Sequence, residues 1–259
     1  MPAINSDGCS IHVETEGRED APVLMLSNSL GTDLHMWDPQ MPAFTQHFRV
    51  VRYDRRGHGQ SDAPKGPYAM EMLGRDVIAI LDALKIKKAN WCGLSMGGMV
   101  GMWLGANAPE RFERMVLSNT GAFYADKGPW NDRIKAAREK GVAALAGPTM
   151  ERWFTKGFRD QHPDKIAWMT AMFGKTPLEG YIGCCEAVRD MDHREVVRDV
   201  KVPTLVLAGR EDPATTVAFA EFLHERIPGS KLAVIEGAHI ANVENPQIYT
   251  QTVLSHLRP

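Results

Sequence analysis

The stretch that most limits what this chain can become is Gly93-Leu94-Ser95-Met96-Gly97, a Gly-x-Ser-x-Gly pattern. A serine pushed out on a sharp strand-to-helix turn takes strained backbone angles, and its neighbours two residues either side must come very close. Only a residue without a Cβ tolerates that approach cheaply, so glycine stands at both flanks. Five residues of common types are a weak signal. Their surroundings strengthen it: an apolar run leads in, and a glycine- and alanine-rich apolar run, 99–108, leads out until Pro109 ends it. An ordinary buried turn whose serine merely caps a helix is the competing reading. The rest of the chain has to decide.

In order, residues 10–16 alternate as a strand with Ile11 and Val13 on one face. Residues 21–27 form a continuous apolar run, as expected of a strand covered on both faces, and empty into the polar loop 28–33. A strand at 48–53 leads into the turn-rich loop 54–62. A helix over 70–84 follows, with Leu73, Val77, Ile80, Leu81 and Leu84 at helical spacing. After the Ser95 stretch comes a strand at 114–118. This order predicts a mostly parallel sheet with helices on both faces, an α/β architecture.

The pattern changes after Thr120. From 121 to about 198 no strand is evident, and Trp130, Ile134 and Ala137, then Met150, Trp153 and Phe154, then Ile166, Met169 and Met172 recur at loose helical spacing. We expect a helical cap at 121–198 inserted into a core made of 1–120 and 199–259. Alternation resumes with a strand at 202–209, a helix at 216–227, a strand at 231–235 and a helix at 246–257 facing inward through Ile248, Val253, Leu254 and Leu257.

Composition narrows the function. The 259 residues are 44% hydrophobic and 24% charged with a formal net charge of −2, which suits one well-buried core and gives no basic stripe for nucleic acid. The cysteines Cys9, Cys92, Cys184 and Cys185 have no Cys-x-x-Cys spacing, so free thiols in a reducing compartment are expected. The N-terminal stretch lacks the apolar core of a signal peptide, and no run is long enough to span a membrane. A cytoplasmic protein without a membrane or nucleic-acid partner is the expectation.

Chemistry concentrates where the parallel strands end, since open α/β sheets bind ligands beyond the carboxyl ends of their strands. Ser95 needs a base, because a free serine hydroxyl is a poor nucleophile. His239, in Gly237-Ala238-His239, follows the last strand, and Asp212, in Gly209-Arg210-Glu211-Asp212-Pro213, follows the one before it and can orient the imidazole. A turn or helix-capping role for Asp212, and Glu211 in its place, stay open. The two N–H donors of an oxyanion hole would come from Met96 and from Ser29, with Leu30 second. Arg56 and His58 read as structural hydrogen-bonders. There is no metal-ligand cluster and no phosphate loop, so no cofactor is expected.

The order Ser95, Asp212, His239 is that of the α/β-hydrolases, and the chain resembles the 3-oxoadipate enol-lactonases within them. The resemblance rests on Ser27-Asn28-Ser29-Leu30-Gly31-Thr32-Asp33 with Met36-Trp37, on Arg52-Tyr53-Asp54 with Arg56-Gly57-His58-Gly59, on Cys92 through Gly98, and on Arg152-Trp153-Phe154-Thr155 with Gly180-Tyr181. It extends over nearly the whole chain. It implies the α/β-hydrolase fold with a helical cap, a triad on Ser95, Asp212 and His239, and hydrolysis of a small-molecule lactone bearing an acetate arm. Extra charge around Asp212 departs from the family's pattern. In the cap, Trp130 offers a wall for the flat ring, and in the core loop 28–33 Leu30 offers a further contact. Arg133, three residues on, offers a cation for the carboxylate. Other readings on the same scaffold are a general carboxylesterase, a different lactonase, a carbon–carbon bond hydrolase, or a lactone sensor without turnover.

Overall fold

The computed structural model describes residues 3–258. Its strands are β1 (Ile4–Ser6), β2 (Cys9–Ile11), β3 (Val13–Glu16), β4 (Val23–Ser27), β5 (Arg49–Tyr53), β6 (Ala89–Leu94), β7 (Phe112–Ser118), β8 (Thr204–Gly209) and β9 (Lys231–Ile235). The last seven form one sheet in the order β3-β5-β4-β6-β7-β8-β9, antiparallel only between β3 and β5. Every residue of β6 and of β8 is buried, which explains why these strands read as continuous apolar runs without alternation. The helix Met96–Asn107 is apolar nearly all round and packs on β6, β7 and the helix Met70–Ala83.

The chain runs from β4 to β5 on one side and then crosses to β6 on the other, so the strand order reverses between β4 and β6. Ser27 of β4 pairs with Gly93 of β6, which sets the loop after β4 beside the turn after β6. That crevice is where an open α/β sheet binds ligands.

Two expectations need correction, and one hairpin went unread. The single strand at 10–16 is two strands in two sheets: β2 pairs with β1, and β3 pairs with β5. At the break the His12 N–H donates to Ser61 Oγ and its carbonyl accepts from Asp54, so the 54–62 loop takes over the hydrogen bonds of a strand partner. The hairpin joining β1 to β2 is absent from the sequence reading, although Asp7-Gly8, with φ of 47° and 79°, is the residue pair that a tight two-residue turn favours. In the last helix, Pro246–Leu257, Ile248 is 42% exposed and Tyr249 is buried in its place, tilted against Trp37. Tyr249, Val253 and Leu257 make the inward stripe at i, i+4 and i+8, and Ile248 lies off it.

Between β7 and β8 the chain carries helices at Gly128–Lys140, Ala146–Trp153, Lys156–Gln161, Pro163–Gly174 and Leu178–Asp190. Phe123 and Asp192, near the two ends of this excursion, form an isolated antiparallel bridge. No helix among the described residues is long and apolar enough to cross a membrane.

Candidate active site

Ser95 sits between β6 and its helix with φ 56° and ψ −114°, a conformation that a residue with a side chain holds only under compulsion. Its N–H donates to the Ser118 carbonyl over 2.8 Å, and its own carbonyl accepts from Thr120 Oγ1 over 2.8 Å. The flanking glycines are needed for space: a Cβ on Gly93 would overlap the Gly97 carbonyl oxygen, and one on Gly97 would overlap that of Ser27.

The structure brings Ser95, His239 and Asp212 into one hydrogen-bonded row. Ser95 Oγ is 2.9 Å from His239 Nε2, and His239 Nδ1 is 2.8 Å from Asp212 Oδ2. Asp212 also does the turn work left open for it, but with its other oxygen: Oδ1 accepts the N–H groups of Ala214 and Thr215. Oδ2 additionally accepts from Thr215 Oγ1 at 2.6 Å and from Asn119 Nδ2 at 3.2 Å. Burial pushes the Asp212 carboxyl upward. The charge on His239 and the hydrogen bonds from His239 and Thr215 outweigh that push and hold it below its ordinary value. Glu211 is exposed.

Asn119 escaped the sequence reading. It takes a positive φ of 46° at the end of β7 and donates to both Asp212 and the Ala238 carbonyl, tying together the loops that carry Asp212 and His239. The polar triplet Ser118-Asn119-Thr120 at the end of a parallel strand was the available signal.

Ser29 and Met96 both line the cavity beside Ser95, and among the described residues neither N–H has a hydrogen-bond partner. The loop holding Ser29 is braced at successive residues. The Asn28 carbonyl accepts from the Gly97 N–H and from Arg55, the Ser29 carbonyl from Thr32 Oγ1, and the Gly31 N–H donates to His58 Nε2. Burial, and then the nearby Arg55 charge, push His58 down to about 3, so the ring stays neutral and Nε2 remains an acceptor. Arg56 makes a buried two-pronged pair with Asp76. The Arg55 guanidinium is fully buried, and its Nε and Nη1 have no partner among the described residues.

A cavity of about 550 Å³ opens over Ser95. Leu30, Met96, Met99 and His239 line it from the sheet side, and Trp130, Arg133, Arg152 and Trp153 line it from the helical excursion. Trp130 and Arg133 share a face of the helix Gly128–Lys140, with the guanidinium 5.6 Å from the indole centroid. Arg133 Nε also donates to Tyr181, whose ring lies 5.5 Å from the guanidinium. Tyr124, Arg152 and Trp153 were not singled out for the site from sequence, because which face of an irregular set of helices turns inward depends on their mutual packing.

Comparison with known proteins shows the fold family of the chain. The profile of the alpha/beta hydrolase fold family matches residues 22–140. The chain is 42% identical to 3-oxoadipate enol-lactonase 2 of Acinetobacter baylyi over 250 residues, covering 96% of this chain and 94% of that one. It is 40% identical to 3-oxoadipate enol-lactonase 1 of the same organism, over 95% of this chain and 92% of that one. The crystal structure of the enol-lactonase from Burkholderia xenovorans superposes with a TM-score of 0.98 at 42% identity, covering both chains completely. This chain is therefore a hydrolase and belongs to the 3-oxoadipate enol-lactonase family of the α/β-hydrolases.

Proposed function

We propose that this protein opens 3-oxoadipate enol-lactone to 3-oxoadipate, as a step of aromatic catabolism through the β-ketoadipate pathway in the cytoplasm. The observation that carries the reading is the Ser95–His239–Asp212 row, with contacts of 2.9 and 2.8 Å, at the floor of a cavity that also exposes Ser29 and Met96. The names of the relatives direct it to this lactone. The four buried free thiols suit a reducing compartment.

In this mechanism Ser95 Oγ attacks the lactone carbonyl carbon while His239 Nε2 takes its proton. Asp212 holds Nδ1 and steadies the imidazolium. The carbonyl oxygen becomes an oxyanion received by the N–H groups of Ser29 and Met96, each typically worth about 10²–10³ in rate. The ring C–O bond then breaks, and the proton on His239 passes to the departing enol oxygen, which stays tethered to the acyl-enzyme. An enol is a better leaving group than an alkoxide, so the demand on His239 as an acid is modest. With His239 as base, water adds to the acyl carbon and the Ser95 ester is cleaved. The freed enol tautomerises to the ketone, which makes the reverse reaction unfavourable. No step requires a cofactor.

The segment 121–198 acts in this reading as a cap over a core of 1–120 and 199–259. Trp130 and Leu30 wall the flat ring, and Arg133, already oriented by Tyr181 and Trp130, receives the acetate carboxylate. The test follows the loss of the lactone's ultraviolet absorbance with purified protein against a Ser95→Ala control. Full turnover by the wild type and none by the variant supports the proposal. Slow turnover beside rapid cleavage of 4-nitrophenyl acetate would instead indicate a general esterase, and binding without turnover would overturn both enzyme readings.

A further inference from the structure

The half-buried Glu244 carboxylate receives donors from two separate parts of the chain. Its Oε2 accepts the N–H of Ala238, beside His239, over 2.9 Å. Its Oε1 accepts the N–H of Thr155 over 3.2 Å and also the Thr155 hydroxyl. Thr155 lies between the helices Ala146–Trp153 and Lys156–Gln161, and its Oγ1 accepts the Phe158 N–H in the first turn of the second. One further bond runs between the same segments: the Ile240 N–H, on the other side of His239, donates to the Trp153 carbonyl over 3.0 Å. Both neighbours of His239 are therefore tied to segment 153–155 of the helical excursion. Among the described residues no cation stands within ion-pair distance of Glu244, so its charge serves these N–H and O–H groups.

We propose that Glu244 is a positioning residue for His239: through the Ala238 N–H it fixes the imidazole against Ser95, and through Thr155 it makes that position depend on the seating of the helical excursion. The proposal rests on the reading of Ser95 as nucleophile and His239 as its base. From the sheet side the loop is held by other groups, with the Ala238 carbonyl accepting from Asn119 and the Gly237 carbonyl from the Glu211 N–H. Gly237 has φ 122°, and without a Cβ it does little to stiffen the turn just before His239. A hydrogen bond to a carboxylate is roughly twice as strong as a neutral one, so Glu244 supplies that stiffness from the other side. The Trp153 side chain lines the cavity over Ser95, so a ligand pressed against it bears on the segment that holds His239. Misplacing a reacting group by about 1 Å can cost about 10²-fold in rate.

The test compares Glu244→Ala, Glu244→Gln and Thr155→Val with wild type in two assays on the full chain. One is steady-state turnover of the enol-lactone, and the other is the rate of Ser95 sulfonylation by phenylmethanesulfonyl fluoride. In the second, Ser95 Oγ displaces fluoride from sulfur while His239 takes the hydroxyl proton, so the assay reads that pair without the lactone. Glu244→Ala should lower kcat and the sulfonylation rate together, by about 10–100-fold, with KM little changed. Glu244→Gln keeps an oxygen for the Ala238 N–H and should recover most of both rates. Thr155→Val removes only the hydroxyl donor and should fall between, which tests the link even where Glu244→Ala fails to fold. Unaltered kcat in these variants, or a loss confined to KM or to the melting midpoint, makes Glu244 a structural residue and overturns the proposal. If Ser95→Ala is sulfonylated as fast as wild type, the nucleophile reading falls and takes the proposal with it. If Ser95→Ala is inert while the Glu244 and Thr155 variants react at the wild-type rate, the proposal alone falls.

Discussion

The Gly31 N–H donates to the Nε2 of His58 across 2.9 Å, so a neutral, fully buried imidazole holds the loop that presents Ser29 to the cavity. The bond survives only while Nε2 carries no proton. Two features of the fold secure that state: burial, and the Arg55 charge close by.

His58 therefore makes stability depend on pH. Its folded value, about 3, lies below the ordinary 6.5, so between those values the unfolded chain binds a proton that the folded chain refuses. Stability is fully present above about pH 6.5 and falls as the pH drops toward 3, by up to about 1.4 kcal/mol per pH unit for one proton. His193, pushed down to about 4 by burial, acts with the same sign. Urea unfolding at several pH values should show a shallower acid slope in His58→Gln than in wild type. An identical slope would locate the acid sensitivity elsewhere.

Asp212→Asn should keep the fold and lose about 10⁴ in kcat, because an amide cannot hold the His239 tautomer or steady its charge. Glu211→Gln should retain near wild-type turnover, since Glu211 is exposed and the aspartate beside it makes the histidine contact. Steady-state kinetics on both variants decides the matter, and the opposite pattern would transfer the acid role to Glu211.

Ser95→Gly should be more stable than Ser95→Ala. Both lose the Ser95 hydroxyl, but only glycine releases the cost of holding a Cβ at φ 56°, a strain of about 1–3 kcal/mol against which glycine's greater unfolded freedom sets about 0.5–1. Each net kcal/mol should raise the melting midpoint by about 2–4 °C for a chain of this size. Equal midpoints for the two variants would show that the turn carries no such strain.

Arg55→Met separates positioning from stability. Methionine fills similar length and removes a buried charge with two unpartnered nitrogens, so the midpoint should move by less than about 4 °C. The Asn28 carbonyl loses one of its two anchors, and the adjacent Ser29 N–H should lose its aim. We expect kcat to fall by about tenfold or more with KM little changed. A large stability loss with unaltered kcat would make Arg55 a structural residue only.

Much of this arrangement was legible in the chain because it depends on local rules. Gly93 and Gly97 are required by backbone overlap within one turn, the buried strands announce themselves as unbroken apolar runs, and the order Ser95, Asp212, His239 follows from which loop follows which strand. These constraints act over a few residues or through chain order, so a linear text carries them.

What only the tertiary structure decided are meetings between distant segments. His12 breaks a strand because a loop some fifty residues later supplies its hydrogen bond, and Asn119 ties Asp212 to Ala238 across about a hundred residues. Tyr249 rather than Ile248 turns inward because Trp37 stands there to receive it. Arg133 and Arg152 converge on Thr149 only once two helices have packed. A helical period reports that a side has an apolar stripe, but it says nothing of which residues of another helix will face it. The hydrogen-bonded row of Ser95, His239 and Asp212 was therefore readable from the sequence, whereas the meeting of Arg133 and Arg152 above it became visible only once the helices had packed.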